Sequence, residues 1–189
     1  MELLPAEHAK TLRAQIRLDP GESLCGIVDG ARDLELAFEA KCLYKKEIWN
    51  LFESDVAEAL ADVAPYLTAF DPGEGYLENW TARLGKSAGI LFIAASDPYK
   101  LYAHLRHILV VEDEEHQPFF FRFYDPRVLR IFLPTCTSEQ LDEFFGPVRA
   151  WICESAEGDG YIEYIRGDQG QFEEKRLVVD ELVSVDEAN

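Results

Sequence analysis

Apolar residues recur along this chain with two different spacings, and the switches between them lay out its elements. From Pro5 to Ile16, the positions of Ala9, Leu12 and Ile16 predict one face of a helix. Leu24 to Val28 reads as a short apolar strand closed by Asp29-Gly30. Beyond Asp33, Leu34, Ala37 and Phe38 predict a helical stripe, whereas Tyr44 to Phe52 fits a helix or a strand. Ser54 is placed to cap a helix carrying Val56, Ala59, Leu60 and Val63, which Pro65 ends. Tyr66 to Phe70 reads as a strand and Asp71-Pro72-Gly73 as a turn. Leu77, Trp80 and Leu84 then form the face of a further helix, with Gly85 just past its end.

The second half carries sharper punctuation. Ile90 to Ala94 is apolar throughout, as expected of a strand covered on both faces. Asp97-Pro98 supplies an N-cap and a first-turn proline to a helix bearing Leu101, Tyr102, Leu105, Ile108 and Leu109. After the polar run EDEEHQ, Phe119 to Tyr124 predicts an aromatic strand. Asp125-Pro126 repeats the cap-and-proline device ahead of Val128, Leu129 and Phe132. Thr137 with Gln140 is a capping-box pattern opening a helix with Leu141, Phe144 and Phe145, stopped by Gly146-Pro147. Three strands follow, Val148 to Cys153, Tyr161 to Arg166 and Phe172 to Val179, with turns at Gly158-Asp159-Gly160 and from Gly167 to Gly170. The predicted fold class is mixed α/β (α+β): short strands alternating with helices, then a hairpin-rich antiparallel C-terminal part. Residues 1–20 are expected to form an N-terminal helical segment, 21–179 a single domain of one or two lobes, and 180–189 a disordered acidic tail.

Charge narrows the function classes. Thirty-six Asp and Glu against eighteen Lys and Arg give a net charge of -18. Nucleic acid is disfavoured, since such binding draws its affinity from neutralised phosphates, and so is an anionic membrane surface. Solubility and the steering of a basic protein partner remain. With 189 residues, 48% of them hydrophobic, the chain is long enough for a self-supporting core. Its cysteines, Cys25, Cys42, Cys136 and Cys153, form no Cys-x-x-Cys pair, which predicts reduced thiols and neither disulfide nor structural metal. The N-terminus lacks a secretory pattern, and the longest apolar stretch, Ala88 to Ala95, is too short to span a bilayer. A cytoplasmic location is expected.

Candidate chemistry is sparse. Asp29 follows a buried strand, where a carboxylate could be catalytic or could shape the turn and cap the next helix. His104 and His107 lie three apart on the polar side of a predicted helix. With Arg106 they suit the negative end of its dipole, and no third metal ligand is nominated beside them. Neither a Gly-x-Ser-x-Gly elbow nor a phosphate-binding glycine loop occurs. The densest polar constellation is Arg122, Asp125 and Arg127 within FRFYDPR, where Asp125 is the local mate for either arginine. An arginine among aromatic residues must reach water, a carboxylate or a partner. An internal ion pair and a binding role are both open. Trp49, Trp80 and Trp151 are candidate anchors, Trp80 being read as core; Trp151 and Ile152 should face opposite ways along their strand.

In order along the chain, LCGIVDGA, LF at Leu51-Phe52, APYL, LYAHLRHIL, FRFYDPRVLRIFL and FFGPVRAW resemble the bacterial type VI secretion adaptor chaperones. The likeness runs from about Leu24 to Trp151, and FRFYDPRVL with the downstream FFGPV-x-x-W is its most specific part. The resemblance implies a non-catalytic cytoplasmic adaptor without cofactor. Its partners would be a type VI effector protein and the VgrG spike protein, onto which it helps load the effector. Arg122, Asp125, Arg127, Gly146, Pro147 and Trp151 occupy signature positions, as partner contacts or as supports of the fold. Two other readings stand beside it: a small hydrolase using Asp29 or Asp125 with an arginine, and an immunity-type protein that caps a toxin.

Overall fold

The computed structural model describes residues 5–42, 48–52, 58–70, 75–95, 97–113, 115–167 and 171–179. The expected N-cap at Ser54, the Asp71-Pro72-Gly73 turn, most of the turn ending at Gly170, the tail 180–189 and the Cys42 side chain lie outside this description.

Along the chain come helix α1 (Pro5–Gln15), strand β1 (Glu22–Asp29), α2 (Leu34–Cys42), β2 (Trp49–Asn50), β3 (Pro65–Ala69), α3 (Tyr76–Thr81) and β4 (Gly89–Ala95). The second half holds α4 (Pro98–Leu109), β5 (Val110–Glu112), β6 (Pro118–Phe120), α5 (Pro126–Phe132), a 3₁₀ turn (Leu133–Thr135), α6 (Ser138–Phe145), β7 (Val148–Glu154), β8 (Gly160–Arg166) and β9 (Phe172–Val178). Among the described residues, seven strands make one sheet in the order β2-β3-β1-β4-β7-β8-β9, while β5 and β6 pair separately. Every pairing is antiparallel. The fold is thus mixed α/β with a hairpin-rich C-terminal part, as the pattern predicts.

The register explains why this sheet is apolar on both faces. Cys25 stands opposite Phe92, and Phe92 opposite Trp151, so these side chains share one face. Their neighbours Gly26, Leu91 and Ile152 share the other. On the Trp151 face, rings of Phe92, Phe123 and Phe144 lie 5.2, 5.8 and 5.0 Å from the indole. On the opposite face Gly26 leaves room for Phe70 and for Trp80 of α3. Trp151 and Ile152 do face opposite ways, and both are completely buried because helices cover both sides. Trp151 buries its Nε1–H with no acceptor among the described residues.

Two local devices hold this arrangement. Glu154, buried at the end of β7, accepts at Oε2 from Gly85 N (2.9 Å) and at Oε1 from Ser87 N (2.9 Å) and Ser87 Oγ (2.7 Å). It thereby fixes the turn before β4, where Ser87 has a φ of 53°. At the outer edge of the sheet, the Gln15 side chain donates to Val178 O (2.6 Å) and accepts from Val178 N (3.1 Å). The amide takes the place of a neighbouring strand at that position.

Some expectations are corrected. Phe119 to Tyr124 is not one strand: β6 ends at Phe120, and Phe123 N then bonds Phe121 O (2.9 Å) while Asp125 N bonds Arg122 O (3.0 Å). These two tight turns send Phe121 and Phe123 into the aromatic cluster and Arg122 the other way. In α2, Leu34 and Phe38 are exposed and Leu36, Ala37 and Ala40 form the buried face. Leu60 and Val63, expected on a core-facing helix, are likewise exposed. His104 is half-buried rather than on the polar side, its Nε2 lying 3.1 Å from Phe144 O. Burial lowers its pKa.

Candidate functional site

The corner between β6 and α5 gathers most of the polar candidates. Asp125 caps α5 through a hydrogen bond from Arg127 N to Oδ1 (3.0 Å). The Arg127 guanidinium folds back onto the same carboxylate, Nε to Oδ1 at 2.9 Å and Nη2 to Oδ2 at 2.6 Å. This is a bidentate fork closed within two residues. Arg122 takes a different partner from the expected one. Its Nη2 donates to Asp29 Oδ2, and Asp125 Oδ2 lies further off at 4.0 Å. The same guanidinium sits over the Tyr124 ring, 5.8 Å from its centroid.

Asp29 therefore belongs to this corner. Its Oδ1 accepts from Ala31 N (3.1 Å), and its backbone carbonyl accepts from Arg32 and Asp33. Asp29 shapes the turn, as one of its two readings held, while Asp33 caps α2 by accepting from Leu36 N (2.8 Å). Since the sheet is antiparallel throughout, the rule that ligands gather at the carboxyl ends of parallel strands gives Asp29 no catalytic presumption. Gly30 beside it is obligatory, because a Cβ there would stand 2.7 Å from Ala64 O.

The two carboxylates titrate in opposite directions. Burial raises the pKa of Asp29 more than Arg122 lowers it. Burial also pushes Asp125 up, but the fork and backbone N–H of Arg127 outweigh it, and its pKa ends below the ordinary value. Tyr124, buried and close to the Asp29 charge, is pushed up to about 12. A depressed folded-state value means that Asp125 adds stability that is complete above the unfolded-state pKa of about 3.9 and is lost as pH falls through the folded value. Asp125→Asn is accordingly expected to be less stable than the parent at neutral pH and to converge with it at pH values below both. Denaturant titrations across the acid range check this; a gap that stays constant would remove the carboxylate's charge from the account.

Exposure decides what this corner presents. The side chains of Asp29 and Asp125 are 1% and 4% exposed, those of Arg122 and Arg127 42% and 51%. The acidic halves lie beneath and the cationic halves outside. Alongside runs an open groove of about 550 Å³, lined by Asp125, Arg127, Val128, Ile131, Phe132 and Thr135. Ile131 stands 73% exposed on its rim. A second hollow of about 570 Å³ lies among α1, β1 and α3 and receives none of the candidate residues.

The other candidates are elsewhere or structural. Trp151 is core. Gly146 ends α6 with a φ of 47°, and a Cβ there would meet the His104 ring at 2.4 Å. Pro147 is half-buried beside it. Arg106 lies over the Tyr102 ring, 5.6 Å from its centroid, on α4. Trp49 stacks against Tyr99 (5.9 Å), and Trp80 is buried. Among the described residues no cluster of three or more His, Cys, Asp or Glu could hold a metal. Among them, too, no helix is long and apolar enough to cross a membrane. Ile131, three residues on from Val128 and beside Phe132, carried no signal that it would stand in solvent rather than in the core.

No curated protein and no solved structure matches the chain. A family model does match, over residues 26–143, a span that includes Asp29, Arg106, Arg122, Asp125 and Arg127 and stops short of Gly146, Pro147 and Trp151. That span is more than half of the chain, which belongs to the family described as domain of unknown function DUF4123.

Proposed function

We propose that this protein is an adaptor chaperone that binds a type VI secretion effector and helps load it onto the VgrG spike, by protein recognition without catalysis. The reading starts from the resemblance carried by FRFYDPRVLRIFL and FFGPVRAW. One observation favours it beyond the resemblance. The motif's own helix, α5, does not spend all its apolar residues on the core, but holds Ile131 in solvent on the groove that the outward-facing Arg127 also lines. Arg is enriched at protein interfaces, and the centre of such an interface is apolar.

The test is co-expression with the products of the neighbouring genes, followed by pull-down, and deletion followed by a secretion assay. Co-purification of an effector or a spike protein, with loss of secretion on deletion, is expected. Secretion unchanged by deletion, with neither protein retained, would overturn the proposal. Protection of susceptible cells by expression alone would point instead to the immunity reading.

The hydrolase reading has one observation in its favour: Asp29 and Asp125, far apart in sequence, converge on Arg122. Against it, each Asp29 oxygen is engaged by an intramolecular donor, as is each Asp125 oxygen, and both side chains are buried. A nucleophile or base needs a lone pair that substrate can reach. Turnover abolished by Asp29→Asn would reinstate it.

A further inference from the structure

We infer that the α5 groove and Arg127 at its edge form a single docking site for a peptide segment that carries an acidic side chain beside a bulky aliphatic or aromatic one. The inference deepens the adaptor reading and rests on it for the claim that the ligand is a protein.

The occupant follows from the chemistry of the lining. The apolar lining of the groove comes from Val128 and Phe132 and, at its solvent edge, from Ile131. An apolar surface of this kind gains from a side chain that removes it from water, which selects a bulky hydrophobic group. The rim is cationic. Arg127 uses Nε and Nη2 on Asp125, and its Nη1 has no partner among the described residues. The guanidinium is already oriented by the fork, so a carboxylate approaching Nη1 meets a donor whose rotamer freedom is spent.

Charge argues in the same direction. The chain carries -18 overall, so most of its surface favours basic partners. At this corner the sign of the exposed atoms is reversed, because the carboxylates that neutralise Arg122 and Arg127 are hidden below them. A purely basic segment would be repelled from the rim, and a purely apolar one would leave Arg127 Nη1 without an acceptor. A segment offering both a carboxylate and an apolar side chain satisfies lining and rim together.

Short random peptides displayed on phage and panned against the full chain provide the probe. Selected sequences should pair Asp or Glu with Leu, Ile, Phe or Trp. Their synthetic versions, measured by fluorescence anisotropy, should lose about tenfold or more in affinity on Ile131→Asp and on Arg127→Gln, the scale of a hot-spot residue. Arg176→Ala, at an exposed ion pair with Asp159 on β9, should leave binding unchanged. Ile131→Asp adds a charge at a solvent-facing position, so its melting curve should match the parent and its effect is read as binding.

Failure to enrich peptides, enrichment without acidic residues, or affinity indifferent to Ile131→Asp each overturns the site. So does a concentration-dependent dimer broken by Ile131→Asp, which would make a second copy of this chain the occupant. The adaptor reading fails separately. Effector or spike that co-purifies equally with the parent and with Ile131→Asp leaves the adaptor standing and removes this groove. Selected peptides with no co-purifying effector or spike leave the groove standing and remove the adaptor.

Discussion

Trp151→Ala should cost about 3–5 kcal/mol, the range for deleting a large aromatic side chain from a core. Trp151 is completely buried at the centre of the sheet and is ringed by Phe92, Phe123 and Phe144. No single rearrangement can refill its volume, because those rings belong to β4, the β6–α5 corner and α6, each anchored separately. For a chain of this size, each kcal/mol moves the melting temperature by roughly 2–4 °C. Trp151→Phe should be clearly milder. The indole Nε1–H has no acceptor among the described residues, so phenylalanine forfeits packing volume and no hydrogen bond to them. Thermal and denaturant melts of the two variants check this. Equal losses would mean that the nitrogen contributes to stability in a way its surroundings do not explain.

Glu154→Ala should be damaging too, by a different route. It strands the N–H groups of Gly85 and Ser87 and the Ser87 hydroxyl. Leaving a buried donor unpaired costs about 1–3 kcal/mol, and the two Ser87 donors are buried whereas Gly85 is exposed, so a total of roughly 2 kcal/mol or more is expected. Glu154→Gln should fall between alanine and the parent. Its carbonyl still accepts, but its NH₂ confronts a donor on the other side. The same substitution should speed hydrogen exchange at Gly85 and Ser87 ahead of β4. If Glu154→Ala loses less than about 1 kcal/mol, within the ordinary range for a point change, then water replaces the carboxylate and the latch is dispensable.

Sequence reading succeeded where the physics is local. Asp97, Asp125 and Thr137 each cap the helix that follows, the last with its reciprocal Gln140 bond, because a cap is completed within three residues. The C-terminal strands follow from alternation and glycine turns for the same reason. Reading failed where two local solutions were equally apolar. Around α2, Leu34, Leu36, Ala37, Phe38 and Ala40 supply apolar groups all round the helix, so spacing alone cannot say which of them meets the core. In FFFRFYD, aromatic content predicts a strand, whereas the chain turns twice to place alternate rings inward. The site was half legible. The Arg127–Asp125 fork joins residues two apart, so the sequence shows it directly. The Arg122–Asp29 pair does not show in this way, since 93 residues separate its members and only the completed sheet brings them together.

That separation has a consequence for when the corner can be recognised. Asp29 leaves the ribosome early, Arg122 much later, and the α5 helix that carries the groove packs against β7, later still. Distant segments join only after the loop between them has closed. A partner gripping this corner would thus discriminate by age, ignoring nascent or half-folded copies and engaging only molecules whose synthesis has run past the seventh strand.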